Sequence, residues 1–93
     1  MHVVIRAYSG NSALADALVE HEDDVRQVIG GVSGFKAYYV LRLGEGTSTV
    51  SVFEDQAGAE ESSRAAAAWL TETLPDMALE PPYVTAGEVL LSF

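Results

Sequence analysis

The sequence contains no cysteine, only five basic side chains, three prolines and a single tryptophan. Without cysteine there is neither a disulfide framework nor thiol chemistry. Small secreted domains often depend on disulfides, so the expected setting is reducing and cytoplasmic. The shortage of Lys and Arg against fourteen acidic residues leaves a formal charge of −9. Such a chain repels phosphate backbones and anionic bilayers, which argues against nucleic acid and against a membrane as partners. Long apolar runs are missing too. Met1-His2-Val3-Val4-Ile5-Arg6 reaches a charge after three apolar residues, too soon for a signal peptide or a membrane span.

What remains is 93 residues, 48% of them apolar, and the expectation is one domain over residues 1–93. A chain of this size buries only roughly 60% of its unfolded surface. Its core must therefore form by packing alone or be completed in an oligomer.

Patterning divides the chain into six elements. His2 to Tyr8 is rich in β-branched and aromatic residues, reads as a strand, and ends in the turn cluster Ser9-Gly10-Asn11-Ser12. Residues 12–29 place Leu14, Leu18, Val25, Val28 and Ile29 at helical spacing, which predicts one amphipathic helix closed by Gly30-Gly31 in the left-handed manner. Phe35 to Leu43 alternates with period two and forms a second strand. Gly44-Glu45-Gly46 turns it into a third, Thr47 to Glu54. Asp55 caps an alanine-rich helix over 56–74, anchored by Trp69, Leu70 and Leu74. Pro75, Pro81 and Pro82 bracket an extended connection through Asp76, Met77, Ala78, Leu79 and Glu80. Tyr83 to Phe93 is the last strand.

This order is the split βαβ arrangement: a ferredoxin-like α+β fold with a four-stranded antiparallel sheet, spatial order four, one, three, two, and both helices on one face. Parity is expected to turn Val3, Ile5, Ala7, Phe35, Tyr39, Leu41, Val50, Val52, Val89, Leu91 and Phe93 toward the helices. The other face would then carry His2, Val4, Arg6, Tyr8, Lys36, Tyr38, Val40, Arg42, Thr49, Ser51, Phe53, Val84, Ala86, Glu88 and Leu90. So apolar a face calls for a second copy of the chain, with the polar groups lining a cavity between two sheets.

The segments Val3-Val4-Ile5-Arg6-Ala7-Tyr8, Gly34-Phe35-Lys36-Ala37-Tyr38-Tyr39 and Val50-Ser51-Val52-Phe53-Glu54-Asp55-Gln56-Ala57-Gly58-Ala59 resemble the antibiotic biosynthesis monooxygenase-like members of the dimeric α+β barrel superfamily. The resemblance spans nearly the whole chain. It implies a homodimer, and an activity drawn from a set that includes cofactor-independent oxygenation of aromatic polyketides and haem cleavage. The Asn, Trp and His or Tyr used by such members do not map cleanly here, because Asn11 lies in a turn and Trp69 comes late in the second helix.

The candidate ligand-binding residues are His2, Arg6, Tyr8, Tyr38, Arg42 and Glu88, a few polar groups converging on an apolar pocket. Two readings stand for Arg6 and Glu88: a pair facing a small aromatic ligand, or a cross-strand ion pair with no ligand. The tyrosines are either substrate-orienting or packing residues. His21-Glu22-Asp23-Asp24 points in successive directions around a helix and reads as a solvated face, so no metal site is expected. Gly30-Gly31-Val32-Ser33-Gly34 follows a helix and precedes a strand, the reverse of a phosphate loop. Ser62 and Ser63 lack a Ser-His-Asp arrangement, and Trp69 reads as a core anchor. No cofactor is called for. The competing functions are a cofactor-independent monooxygenase, a small-ligand carrier or sensor, and a structural dimer.

Overall fold

In the computed structural model, which describes residues 1–77 and 80–93, the chain runs β1 (His2–Tyr8), α1 (Ala13–Glu20), α2 (Glu22–Gly30), β2 (Phe35–Leu43), β3 (Gly46–Phe53), α3 (Gln56–Thr73) and β4 (Tyr83–Glu88). The four strands form one antiparallel sheet in the order β2-β3-β1-β4. This is the expected ferredoxin-like α+β arrangement.

The helix expected over 12–29 is divided at His21, whose φ of −100° and ψ of 30° bend the axis. Helical hydrogen bonding nearly continues through the bend, from His21 N–H to the Ala17 carbonyl and from Val25 N–H to the His21 carbonyl, each at 3.0 Å. Restarting the helix here puts Glu22, Asp23 and Asp24 in a first turn, where the helix dipole favours acids. The stop also differs from expectation. Gly31 is right-handed (φ −79°), and its lack of a side chain matters because a Cβ would lie 2.5 Å from the Gln27 carbonyl oxygen. The left-handed residue is Gly34 (φ 82°), which swings the chain into β2 while its carbonyl accepts from Glu54 N–H at 2.8 Å.

Asp55 caps α3 as its position suggests, its side chain accepting from Gly58 N–H at 3.0 Å. Any Cβ on Gly58 would lie 2.9 Å from the Ser33 carbonyl oxygen, so only glycine lets the start of α3 come this close. After α3 the connection opens with a turn, Met77 N–H donating to the Leu74 carbonyl at 3.2 Å. Of the extended segment expected there, Ala78 and Leu79 lie outside the described residues. The last strand stops at Glu88 rather than Phe93. Its pairing with β1 ends at His2 opposite Glu88, followed by one bond from Val89 N–H to the Met1 carbonyl at 2.8 Å.

The sheet faces are the reverse of the parity expectation. Val4, Arg6, Tyr8, Thr47, Thr49, Ser51 and Phe53 are buried beneath the helices, whereas Ile5, Tyr39 and Leu41 are exposed on the other side. Phe35 keeps its expected side, because the register shift between Phe35 and Ala37 changes the alternation. The core joins Val4, Tyr8 and Phe53 to Leu14, Leu18, Val25, Ile29 and Ala59, with Trp69 and Leu70 packed against it. The outer face carries uncharged rungs such as Tyr39-Val50-Ile5-Thr85 and Ala37-Val52-Val3-Gly87.

Candidate functional site

The strand registers place Arg6 at the middle of the sheet, between Thr49 on β3 and Val84 on β4. Its residue is only 3% exposed, so its charge needs partners within the fold. Those partners are hydroxyls. One Nη donates to Ser51 Oγ at 3.3 Å, and the other to Ser62 Oγ at 3.0 Å and Ser63 Oγ at 2.8 Å on α3. Ser62 and Ser63 direct their own O–H groups to the Ala59 carbonyl, at 2.7 and 3.3 Å. Their lone pairs are therefore turned toward the guanidinium.

Tyr8 and Tyr38 stand on the same face as Arg6. Burial pushes the Tyr38 phenol up to about 12, against the pull of the Arg6 charge, and moves Tyr8 upward for the same reason. Both are neutral hydrogen-bonding groups at physiological pH. Burial also lowers the Arg6 pKa, an effect opposed by the electrostatic influence of the two phenols.

These three side chains line a small cavity together with Leu14, Leu18, Val25, Val28, Ile29, Thr49, Ala66, Trp69 and Leu70. Its volume of about 30 Å³ has room for about two waters. A larger groove of about 580 Å³ adjoins it, sharing Arg6, Tyr8, Ala66 and Leu70 and walled further by Leu74, Pro75, Met77, Pro81, Pro82 and Val84. That size suits a small organic ligand. On the opposite flank, Tyr38 and Val40 border a groove of about 460 Å³ under α2.

Of the six residues expected to form the site, the structure thus brings together Arg6, Tyr8 and Tyr38, and it does so inside one chain rather than between two sheets. The others lie elsewhere. His2 begins β1 opposite Phe53 and Glu88. Arg42 is at the surface, bonded to the Asp16 carboxylate of α1. Glu88 is exposed and stands four residues along the register from Arg6, so the Arg6–Glu88 pair is not formed. Sequence reasoning missed Ser51, Ser62, Ser63 and Trp69 as members. The usable signal was Arg6 itself, a charge amid an apolar strand that obliges nearby segments to supply acceptors. Among the described residues no group of three or more His, Asp or Glu is placed to hold a metal ion, and no helix is long and apolar enough to cross a membrane.

The fold is that of the antibiotic biosynthesis monooxygenase-like ferredoxin-fold proteins. The heme-degrader MhuD of Mycobacterium tuberculosis, solved with two hemes in its active site, is similar over 100% of this chain and 99% of its own, with a TM-score of 0.73 and 16% identity. A monooxygenase from the gene ActVA-Orf6 of Streptomyces coelicolor, in complex with nanaomycin D, matches over 98% and 92% with a TM-score of 0.67 and 19% identity. A dimeric ferredoxin-like protein from an uncultured marine organism matches over 99% and 95%, with a TM-score of 0.70 and 11% identity. No protein-family model and no curated protein matches the sequence. At these identities the likeness defines the fold, while the chemistry has to be argued from the cleft.

Proposed function

We propose that this chain is a cofactor-independent monooxygenase acting on an aromatic or polyketide-like compound held in the cleft between the sheet and α3. The observation that carries this reading is the groove of about 580 Å³ beside the aromatic cavity of Tyr8, Tyr38 and Trp69, the two sharing Arg6, Tyr8, Ala66 and Leu70 as walls. Aromatic walls with a few polar groups suit a flat substrate. Tyr8, which borders both the cavity and the groove and is kept protonated by burial, donates a hydrogen bond to a substrate carbonyl. The fold shared with the ActVA-Orf6 monooxygenase adds support.

The chemistry fits a methylene flanked by aromatic rings and activated by a ring ketone. Loss of one proton gives an enolate, which passes an electron to dioxygen, and recombination forms a C–O bond to a hydroperoxide. The hydroperoxide then loses water to leave a new C=O. One oxygen atom enters the substrate and the other leaves as water, so dioxygen accepts the four electrons that the carbon gives up. No external reductant is required. The chain works as a homodimer whose copies meet through the outer sheet faces, in keeping with the dimeric neighbour.

The test is an oxygen electrode with 1,8-dihydroxyanthrone, then with hydroquinones and haem. Oxygen uptake above the autoxidation rate, matched mole for mole by quinone and slowed about a hundredfold in Tyr8→Phe, is expected. Rates equal to those without protein across the whole panel would remove the proposal. One feature favours a non-catalytic binder instead: among the described residues no carboxylate or imidazole lines the small cavity, and Glu80 lies on the groove outside it. Saturable binding without turnover would select that alternative.

A further inference from the structure

We propose that the cleft selects aromatic ligands that carry a negative charge, with the guanidinium of Arg6 as their counter-charge. This rests on the cleft being the ligand site, and it specifies the class of ligand.

A buried guanidinium is ordinarily balanced by a carboxylate. This chain has fourteen acidic residues, yet among the described residues none forms an ion pair with Arg6. Glu88 lies four residues away in register, and Glu80 lines the groove without reaching the guanidinium. The partners present are three neutral hydroxyls. They satisfy hydrogen bonds without cancelling charge. They also fix the head group, because Ser62 and Ser63 hold it from one turn of α3 while anchored to the Ala59 carbonyl.

Of five guanidinium N–H donors these contacts use three, so that among the described residues Nε–H and one Nη–H have no partner. The cavity and the groove both count Arg6 among their walls, so a ligand in the groove lies against the residue that carries the cation. An ionised oxygen there gains a charge-assisted bond in a low-dielectric setting, while a neutral isostere gains only a weak one. The rest of the molecule offers no general attraction to anions, since the formal charge is −9. Any preference for an anion must therefore be local.

The experiment titrates the whole chain at pH 7.5 with 2-naphthoate, 2-naphthamide and a 2-naphthyl trimethylammonium salt, following the fluorescence of the sole tryptophan, Trp69. These probes share one ring and differ in charge. The expected order is anion, then neutral, then cation, with naphthoate at least tenfold tighter than the amide. Arg6→Met should bring naphthoate and amide together, and Arg6→Lys should keep part of the preference, with circular dichroism melts confirming that each variant is folded. Equal affinities for naphthoate and amide in the unmodified chain would overturn the inference and leave the cleft standing as a ligand site. A preference that survives in folded Arg6→Met would also overturn it. If none of the three probes binds, this inference falls together with the reading of the cleft. The charge series in the unmodified chain decides the matter even if the variants do not fold.

Discussion

His21 and Trp69 meet in a T-shaped contact, ring centroids 5.6 Å apart and planes inclined at 76°. The residue that bends α1 into α2 thus also holds the indole that walls the cavity. Such pairs contribute about 0.5–1.5 kcal/mol beyond their buried area. His21→Ala should lower unfolding free energy in urea by about 1 kcal/mol and shift the Trp69 emission maximum. An unchanged emission spectrum would mean that the contact does not persist in solution.

Arg6 and Ser62 should respond to substitution in opposite ways. Ser62→Ala leaves the cation in place and removes a buried acceptor, which costs about 1–3 kcal/mol. Arg6→Met removes the charge and keeps most of the volume. Replacing a buried ionic group by a packed apolar one is often neutral or stabilising. Urea midpoints for the two variants should therefore lie on opposite sides of, or respectively below and at, that of the unmodified chain.

The buried phenol of Tyr38 sets a limit on alkaline stability. Its pKa is raised from an ordinary 10.0 to about 12. The unfolded chain therefore loses this proton first as pH rises. The stabilising contribution is complete below about pH 10 and is lost progressively up to about pH 12, a loss on the order of 2 kcal/mol. Tyr8 acts in the same direction. Urea denaturation at stepped pH should show a shallower decline in Tyr38→Phe, and equal slopes would contradict the burial of this hydroxyl.

Tyr39 tests the outer face. It is 58% exposed beside Val50, so a charge there leaves the chain's own core undisturbed. Sedimentation equilibrium should give twice the chain mass for the native sequence and the single-chain mass for Tyr39→Asp. A single-chain mass for both would refute the proposed dimer.

The element order and the strand sequence of the sheet were legible because each rests on a local signal. Examples are the alternation from Phe35 to Leu43, the Asp55 cap and the glycine-bearing hairpin after Leu43. The facing of the sheet was not legible. β1 reads Val-Val-Ile-Arg-Ala-Tyr, apolar on both sides, so a shift of one residue exchanges two plausible faces and period two alone cannot choose. The choice was made by α3, whose Ser62 and Ser63 accept from Arg6 some 56 and 57 positions away in the chain. The bend at His21 was hidden for a related reason. The apolar spacing of Leu14, Leu18, Val25 and Ile29 suits a straight helix, and only the acids at 22–24 hint at a second start.

The outer face has no charged side chain on its rungs, whereas each chain carries −9 elsewhere. In a pair joined through that face, added salt would have no cross-interface ion pair to weaken there. It would act on the mutual repulsion of two acidic bodies instead. Association should therefore tighten as ionic strength rises, the reverse of a contact built on salt bridges, and dilute buffer is where separated chains should accumulate.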